Sequence, residues 1–406
     1  MKPTKKKPVV NLSKEALFPQ EEILAYANPN KSFKIGIPKE LDKYENRVPL
    51  IPQTVEVLTN RGLEVIIETG SGERAGFPDH HYSEAGAIIV DNPDIVFQSD
   101  VILKIAPLTG SELKKIEDNK VLISAFHAQN QEKTNLNIYK KKHLTCIGFE
   151  YIMDEQGSFP FVRSMSEIAG SASILLAADF LSSGQHGMGK LLGSITGVNP
   201  AEIIIIGAGT VGEYAAKAAL GLGASVKVFD NSLYKLRNLK SHLKENIFTS
   251  VLQTSVLRNA LIKADVVIGA MWFDESRQQV LINEDWIKMM KKGSVIIDVS
   301  IDRGYCFETS HMTNHGKPTF IKHGVIHYAV PNIASHYAKT ASYALSNLLE
   351  QSLIELSESG SITQAIRQNT TLRNGTYFFN GILTNYFIAS LFDIPSKDIN
   401  LLLSAY

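Results

Sequence analysis

The chain has 406 residues, 44% of them hydrophobic, and its 41 lysines and arginines balance 41 aspartates and glutamates. That length buries enough core for two domains rather than one, and the balanced charge gives no reason to expect nucleic acid or an anionic membrane as a partner. Two cysteines, Cys146 and Cys306, are too few for a disulfide framework or a zinc site and fit a reducing compartment.

Residues 1 to 33 are rich in Lys, Pro and Asn and weakly patterned, and read as an N-terminal extension. Its basic start, "MKPTKKKPVV", runs into "NLSKEALFPQ" without the unbroken apolar stretch of a signal peptide, and no uncharged apolar run approaches the ~20 residues of a membrane helix. A cytoplasmic protein is expected. From residue 34, "FKIGIP", "LEVIIET", "AIIV", "DVILKIA" and "VLISAFH" predict buried strands. Between them "PQTVEVLTNRG" and "YSEAGA" predict helices, the first closed by a glycine suited to the position after a helix end. Such alternation predicts an α/β fold with a doubly wound parallel sheet, whose ligands sit at the carboxyl ends of the strands. His127, in "LISAFHAQN", stands at such an end. On its own it reads either as a core imidazole capping a strand or as an acid/base group.

A second alternation opens near residue 163, where "MSEIAGSASILLAADFLSS" has helical spacing and leads through a Gly-rich stretch into "EIIIIGAGTVGEYAAKAALGLGASVKVFDNS". Gly207, Ala208, Gly209, Thr210, Val211 and Gly212 make a G-x-G-x-x-G turn directly after four isoleucines and directly before an Ala-rich helix. In that context the first glycine permits the tight turn, the second lets backbone approach a pyrophosphate, and the third lets helix and strand pack closely. The next strand ends in Asp230, eighteen residues past Gly212. A carboxylate there accepts both ribose hydroxyls and repels a 2′-phosphate, which favours NAD over NADP, while Lys235 nearby softens that repulsion. The strands "ADVVIGAM" (264 to 271) and "GSVIIDVSID" (293 to 302) continue this domain. The second ends in Asp302, by position either a loop cap or a polar group aimed at the reacting centre.

The order "IGIPKE…ENRVPLIPQTVEVLTNRG", "VILKIAP", "SAFHAQN", "MSEIAG", "IIIIGAGTVG", "IDVSIDRGYCFETS" and "VPNIASHYAKTASYALSN" resembles the alanine dehydrogenase and nicotinamide nucleotide transhydrogenase family from about residue 34 onward. The resemblance implies two Rossmann-like, doubly wound domains, with the NAD domain inserted into a discontinuous substrate domain. The first part of the substrate domain would span 34 to 162 and the NAD domain 163 to 338. A returning helix would start near Lys339, and residues 339 to 406 would complete the substrate domain. Family members are commonly dimers or hexamers, so a homo-oligomer is implied.

Position by position, Arg47 in "ENRVPL" matches the arginine that holds the substrate carboxylate in alanine dehydrogenases, a task suited to a planar guanidinium. Without the resemblance it would read as a surface arginine. His127 matches the acid/base histidine and Asp302 the catalytic aspartate. Ser166, the three glycines of the turn, Asp230, Lys235, Val299 and Asn332 match positions that contact the dinucleotide. The plain alternative for Ser166 is a helix N-cap, with Glu167 in the first turn. Transhydrogenase alpha subunits share the "AQN" but lack the histidine and the aspartate, because passing hydride between nicotinamides needs no proton chemistry on a substrate. Retaining both therefore favours a dehydrogenase.

Some positions depart from the family. It commonly shows K-V-K-E-P where this chain has "KIAP", so Lys104 alone is left, either as the substrate lysine pointing into the cleft or as a residue serving only structure. Trp272, Phe273 and Tyr305 replace small residues near the expected nicotinamide, and Pro49 stands where alanine is common. Three readings follow. The leading one is an NAD-dependent amino acid dehydrogenase that converts L-alanine and water to pyruvate and ammonia. The others are a saccharopine dehydrogenase-like enzyme joining an amine to an oxo acid, and a transhydrogenase-alpha-like subunit.

Overall fold

The computed structural model describes residues 33–271, 281–302, 304 and 306–404, so the extension up to residue 32 and Trp272, Phe273 and Tyr305 lie outside the described residues. Two sheets organise them. The first has the strand order β15-β14-β6-β5-β4-β1-β2-β3, with β1 at Lys34–Ile37, β2 at Glu64–Glu68, β3 at Ile88–Val90, β4 at Val101–Leu103, β5 at Val121–Ser124 and β6 at Thr145–Gly148. These six run parallel. The second has the order β12-β13-β11-β10-β7-β8-β9, built on β7 at Glu202–Ile206, β8 at Ser225–Phe229, β9 at Phe248–Ser250, β10 at Val266–Gly269 and β11 at Val295–Asp298.

The continuous apolar runs become strands because helices cover both faces of each sheet. Side chains alternate across a strand, so Val101, Leu103, Val121 and Ile123 enter one core while Ile102 and Leu122 enter the core on the opposite face. In the second sheet Ile203 and Ile205 face one core, and Ile204 and Ile206 the other. "IIII" is therefore buried throughout.

Two antiparallel hairpins extend the sheets. β12 (Thr319–Lys322) and β13 (Val325–Tyr328) close one edge of the second sheet, with β13 parallel to β11. β14 (Thr376–Phe379) pairs antiparallel with β6, and β15 (Ile382–Leu383) lies outside it. Their turns, His323-Gly324 and Asn380-Gly381, all have positive φ, between 48° and 78°. That conformation matches the twist of two-residue hairpins, and an Asn-Gly pair is its strongest sequence signal.

The helix Pro160–Leu181 carries the chain from the first sheet to the second, starting with a proline whose missing N–H costs nothing in a first turn. By length and apolarity it could cross a membrane. Here it packs against the helices Thr210–Gly221, Ile333–His336 and Ala338–Glu358. The last of these carries the chain back to the first sheet, where it meets the helix Pro52–Asn60.

Candidate active site

Parallel pairing puts the segments that follow β1, β4 and β5 at the same edge of the first sheet, because β4 lies between the other two. Those segments carry Glu40, Glu45 and Arg47, then Lys104, then His127. In the second sheet the corresponding edge carries the Gly-rich turn after β7, Asp230 after β8, Asp302 after β11 and Asn332 after β13. The strand order reverses between β7 and β10, the place where such sheets bind ligands.

The loop bearing Arg47 has no strand partner, so its backbone N–H groups need other acceptors. Three serines that are completely buried provide them. Asn46 N–H donates to Ser335 Oγ at 2.8 Å, Val48 N–H to Ser342 Oγ at 2.9 Å and Ile51 N–H to Ser346 Oγ at 3.1 Å. The Ser335 hydroxyl in turn donates to the Tyr44 carbonyl at 2.6 Å. Arg47 is thus set by residues from the far end of the chain.

Its guanidinium is gripped side-on by Glu45, with Nε to Oε1 at 2.8 Å and Nη2 to Oε2 at 2.6 Å. Burial raises the Glu45 pKa, but the charge and hydrogen bonds of Arg47 and the Asn332 amide bring it below its ordinary value. Asn332 Nδ2 donates to Glu45 Oε2 at 2.8 Å, and Arg47 Nη1 lies 3.3 Å from the sulfur of Met165, the neighbour of Ser166. Arg47, Asn332 and the "MSEIAG" segment therefore meet. Glu45 was not singled out in the sequence, although it stands only two residues before Arg47.

Lys104 sits as a structural cation rather than as one facing the cleft. Its ammonium is 1% exposed, 2.9 Å from Glu40 and 3.5 Å from Glu112. Glu40 also accepts from Ile105 N–H at 2.7 Å, and Glu112 closes a capping box on Thr109. The ammonium thus neutralises two buried carboxylates that organise its own loop, and Ala106 occupies the next position on that side. Burial raises the Glu40 pKa, opposed by Lys104 and reinforced by Glu45.

β5 ends at Ser124, three residues before His127. His127 adopts φ 50°, ψ 64°, a left-handed conformation uncommon outside glycine, and opens the short turn Ala128–Asn130. Its backbone N–H and that of Phe126 donate to Glu150, at 2.8 and 2.9 Å. Glu150, after β6, is a second residue that the sequence reading passed over. The imidazole itself is exposed, so the core-histidine alternative does not hold.

The Gly-rich turn has the shape a dinucleotide needs. Gly207 has φ +114°, and a Cβ there would lie 2.4 Å from the Ala270 carbonyl; at Gly212 it would lie 1.9 Å from the Gly207 carbonyl. Gly209 differs, because its φ of −79° suits any residue and a Cβ would meet no atom of the described residues. Neither backbone nor packing requires glycine there, but a ligand lying against the turn would. Among the described residues no side chain caps the helix Thr210–Gly221, which leaves its first N–H groups for an anion. Asp230 accepts from Ala208 N–H and Ser232 N–H, each at 2.7 Å, and so braces the turn. Lys235 is exposed in the first turn of the helix Leu233–Leu243. Val299 is half-buried, its N–H on the Gly269 carbonyl at 2.9 Å. Ser166 lies in the second turn of the helix starting at Pro160, so the N-cap alternative is corrected, and Glu167 instead pairs with Arg163 at 3.0 Å.

Asp302 is half-buried beyond β11, close enough to Asp298 to repel its charge. Asp298, fully buried at the end of β11, has its pKa raised to about 7, chiefly by burial and further by Asp302, against the opposing effects of Ser310 and of the Ser300 and Cys306 backbone. One of its oxygens accepts from Ser300 N–H at 3.2 Å. The other makes no hydrogen bond of ordinary geometry among the described residues.

The description Alanine dehydrogenase/PNT, N-terminal domain, matches residues 36–169, and Alanine dehydrogenase/PNT, C-terminal domain, matches residues 173–386. Over 367 residues the chain is 37% identical to an alanine dehydrogenase of Staphylococcus epidermidis and 36% identical to alanine dehydrogenase 2 of Staphylococcus aureus, spanning 90% of this chain and 98% of each relative. A solved L-alanine dehydrogenase superposes with a TM-score of 0.84 at 32% identity, covering 89% of this chain and 99% of its own. A transhydrogenase from Sinorhizobium meliloti matches with a TM-score of 0.73 at 22% identity, over 86% and 99%, a likeness of fold alone.

Proposed function

Because the chain belongs to the alanine dehydrogenase/PNT family, we propose that it is an NAD-dependent amino acid dehydrogenase, converting L-alanine and water to pyruvate and ammonia and running in reverse. The observation that carries this reading is His127, an exposed imidazole at the carboxyl edge of the first sheet, in a strained conformation braced by Glu150. Passing hydride between two nicotinamides gives such a group no task. Exchanging an amine for a carbonyl oxygen does, since protons must leave the nitrogen and the attacking water.

NAD supplies the hydride acceptor when bound. The turn Gly207–Gly212 and the N-terminus of the following helix would hold its pyrophosphate, and Asp230 its ribose hydroxyls. Ser166, Lys235, Val299 and Asn332 would line the remainder. Arg47 would hold the substrate carboxylate through the Nη edge that Glu45 leaves uncovered. Lys104 would hold its own loop in place by neutralising the buried Glu40 and Glu112. His127 and Asp302 would position and deprotonate the water and return a proton to the departing amine. An imidazole suits this role because its ordinary pKa of about 6.5 lets it give and take protons near neutrality.

The test follows NADH absorbance with the purified chain in three mixtures: pyruvate with ammonium, 2-oxoglutarate with lysine, and an NADP analogue as hydride acceptor. NADH consumption in the first mixture is expected. Consumption only in the second would make the chain a saccharopine dehydrogenase-like enzyme, and only in the third a transhydrogenase-like one.

A further inference from the structure

We propose that Glu45 is a positioning residue: it fixes the Arg47 guanidinium side-on so that its Nη edge becomes the carboxylate-binding face, and through Asn332 it ties that orientation to the nucleotide-binding half of the molecule. The inference rests on the reading of Arg47 as the substrate-carboxylate ligand.

The contacts of the Glu45 carboxylate assign this role. Oε1 accepts from Arg47 Nε at 2.8 Å and from the Arg47 backbone N–H at 3.1 Å. Oε2 accepts from Arg47 Nη2 at 2.6 Å and from Asn332 Nδ2 at 2.8 Å. A carboxylate offers about four lone-pair sites, and all four are used. The guanidinium, with five N–H donors, spends only two on Glu45. Its Nη1 faces the Met165 sulfur, a weak acceptor, at 3.3 Å. The fork formed by Nη1 and the second hydrogen of Nη2 is therefore left for an incoming carboxylate, which such an edge binds bidentately.

Length and burial make the arrangement specific. Glu45 and Arg47 are 4% and 11% exposed, so neither charge is solvated without the other. Glu45 stands two residues before Arg47, and its carboxylate reaches round the guanidinium to Nε and Nη2. Asn332 follows β13 of the second sheet, whereas Glu45 follows β1 of the first. Their hydrogen bond thus crosses between the two halves, beside the Asn46–Ser335 bond. A shift of the second sheet relative to the first would move the carboxylate that aims Arg47.

The experiment compares the full chain with Glu45→Gln, Arg47→Lys, the double variant and Asn332→Ala. It measures NADH affinity by fluorescence, then pyruvate affinity for the NADH complex without ammonium, so that binding is read without turnover. Glutamine keeps the volume but presents an N–H to the guanidinium. Glu45→Gln is expected to weaken pyruvate about tenfold or more while leaving NADH affinity within about twofold. The double variant should be no weaker than Arg47→Lys alone, since both act on one cation. Asn332→Ala should weaken pyruvate less than Glu45→Gln does. If Glu45→Gln does not fold, Glu45→Asp replaces it, with a smaller loss in the same direction expected. Wild-type pyruvate affinity in the Glu45 variant, with a loss in Arg47→Lys, would overturn the positioning role alone. Unchanged affinity in both would overturn the Arg47 reading, and this inference with it.

Discussion

The backbone N–H of Val48 donates to the Ser342 hydroxyl at 2.9 Å, across 294 residues of sequence. The candidate substrate arginine at position 47 therefore takes its backbone path from the returning helix Ala338–Glu358, and the last stretch of the chain is part of the site's scaffold. Replacing Ser342 with Ala leaves a buried N–H without its acceptor, a cost of about 1–3 kcal/mol. Urea unfolding should show a loss of that size. Unaltered stability would mean that the loop finds another acceptor.

Gly209 offers a test that separates folding from binding. A methyl group there meets no atom of the described residues, and its φ of −79° is ordinary. Gly209→Ala should fold with wild-type stability and lose NADH affinity by about tenfold or more, because the methyl occupies the path of the pyrophosphate. Calorimetric unfolding and NADH fluorescence would measure the two together. Intact NADH affinity would show that the dinucleotide lies elsewhere.

Much of the scaffold was legible because local rules and tertiary context agree. The isoleucine strand, the glycine turn and the Ala-rich helix stand where their spacing predicts them. Glu150 escaped notice because nothing local marks it; it accepts N–H groups of Phe126 and His127 that only the folded chain brings near. Glu45 stands two residues before Arg47, a local relation, but its bond to Asn332 exists only in the folded chain. The buried serines have the same character. The hairpin from β14 to β15 is another case, since Asn380-Gly381 signalled it plainly, but "TYFF" and "IL" are too short to read as strands without their partner β6. For Lys104 the sequence left a cleft-facing and a purely structural role open, because the glutamates that decide between them lie 64 residues before it and 8 after it.

Lys104 carries its own prediction. Replacing it with Met strands Glu40 and Glu112 in a dry site, which should destabilise the protein by about 3–5 kcal/mol. A ligand of the substrate alone would instead weaken pyruvate binding and leave the unfolding curve in place. Unfolding and pyruvate titration of the same Lys104→Met sample distinguish the two roles.

Asp298 predicts a pH effect. Its carboxyl titrates near pH 7 in the folded chain, against an ordinary value of 3.8. Between those values the folded state binds a proton that the unfolded state has released, so its contribution to stability falls as pH rises through that window and levels off above it. Asp298→Asn lacks this slope. Its Tm relative to wild type should therefore rise between about pH 5 and about pH 8. An identical pH dependence in both proteins would show that Asp298 is ionised throughout.

The proposed dehydrogenase chemistry in this chain depends on the exposed imidazole beyond β5. The most direct measurement is the turnover of His127→Ala with NADH, pyruvate and ammonium, alongside its NADH affinity. A loss of about a hundredfold or more in kcat is expected, with NADH bound as tightly as by wild type. Wild-type turnover in that variant would contradict it.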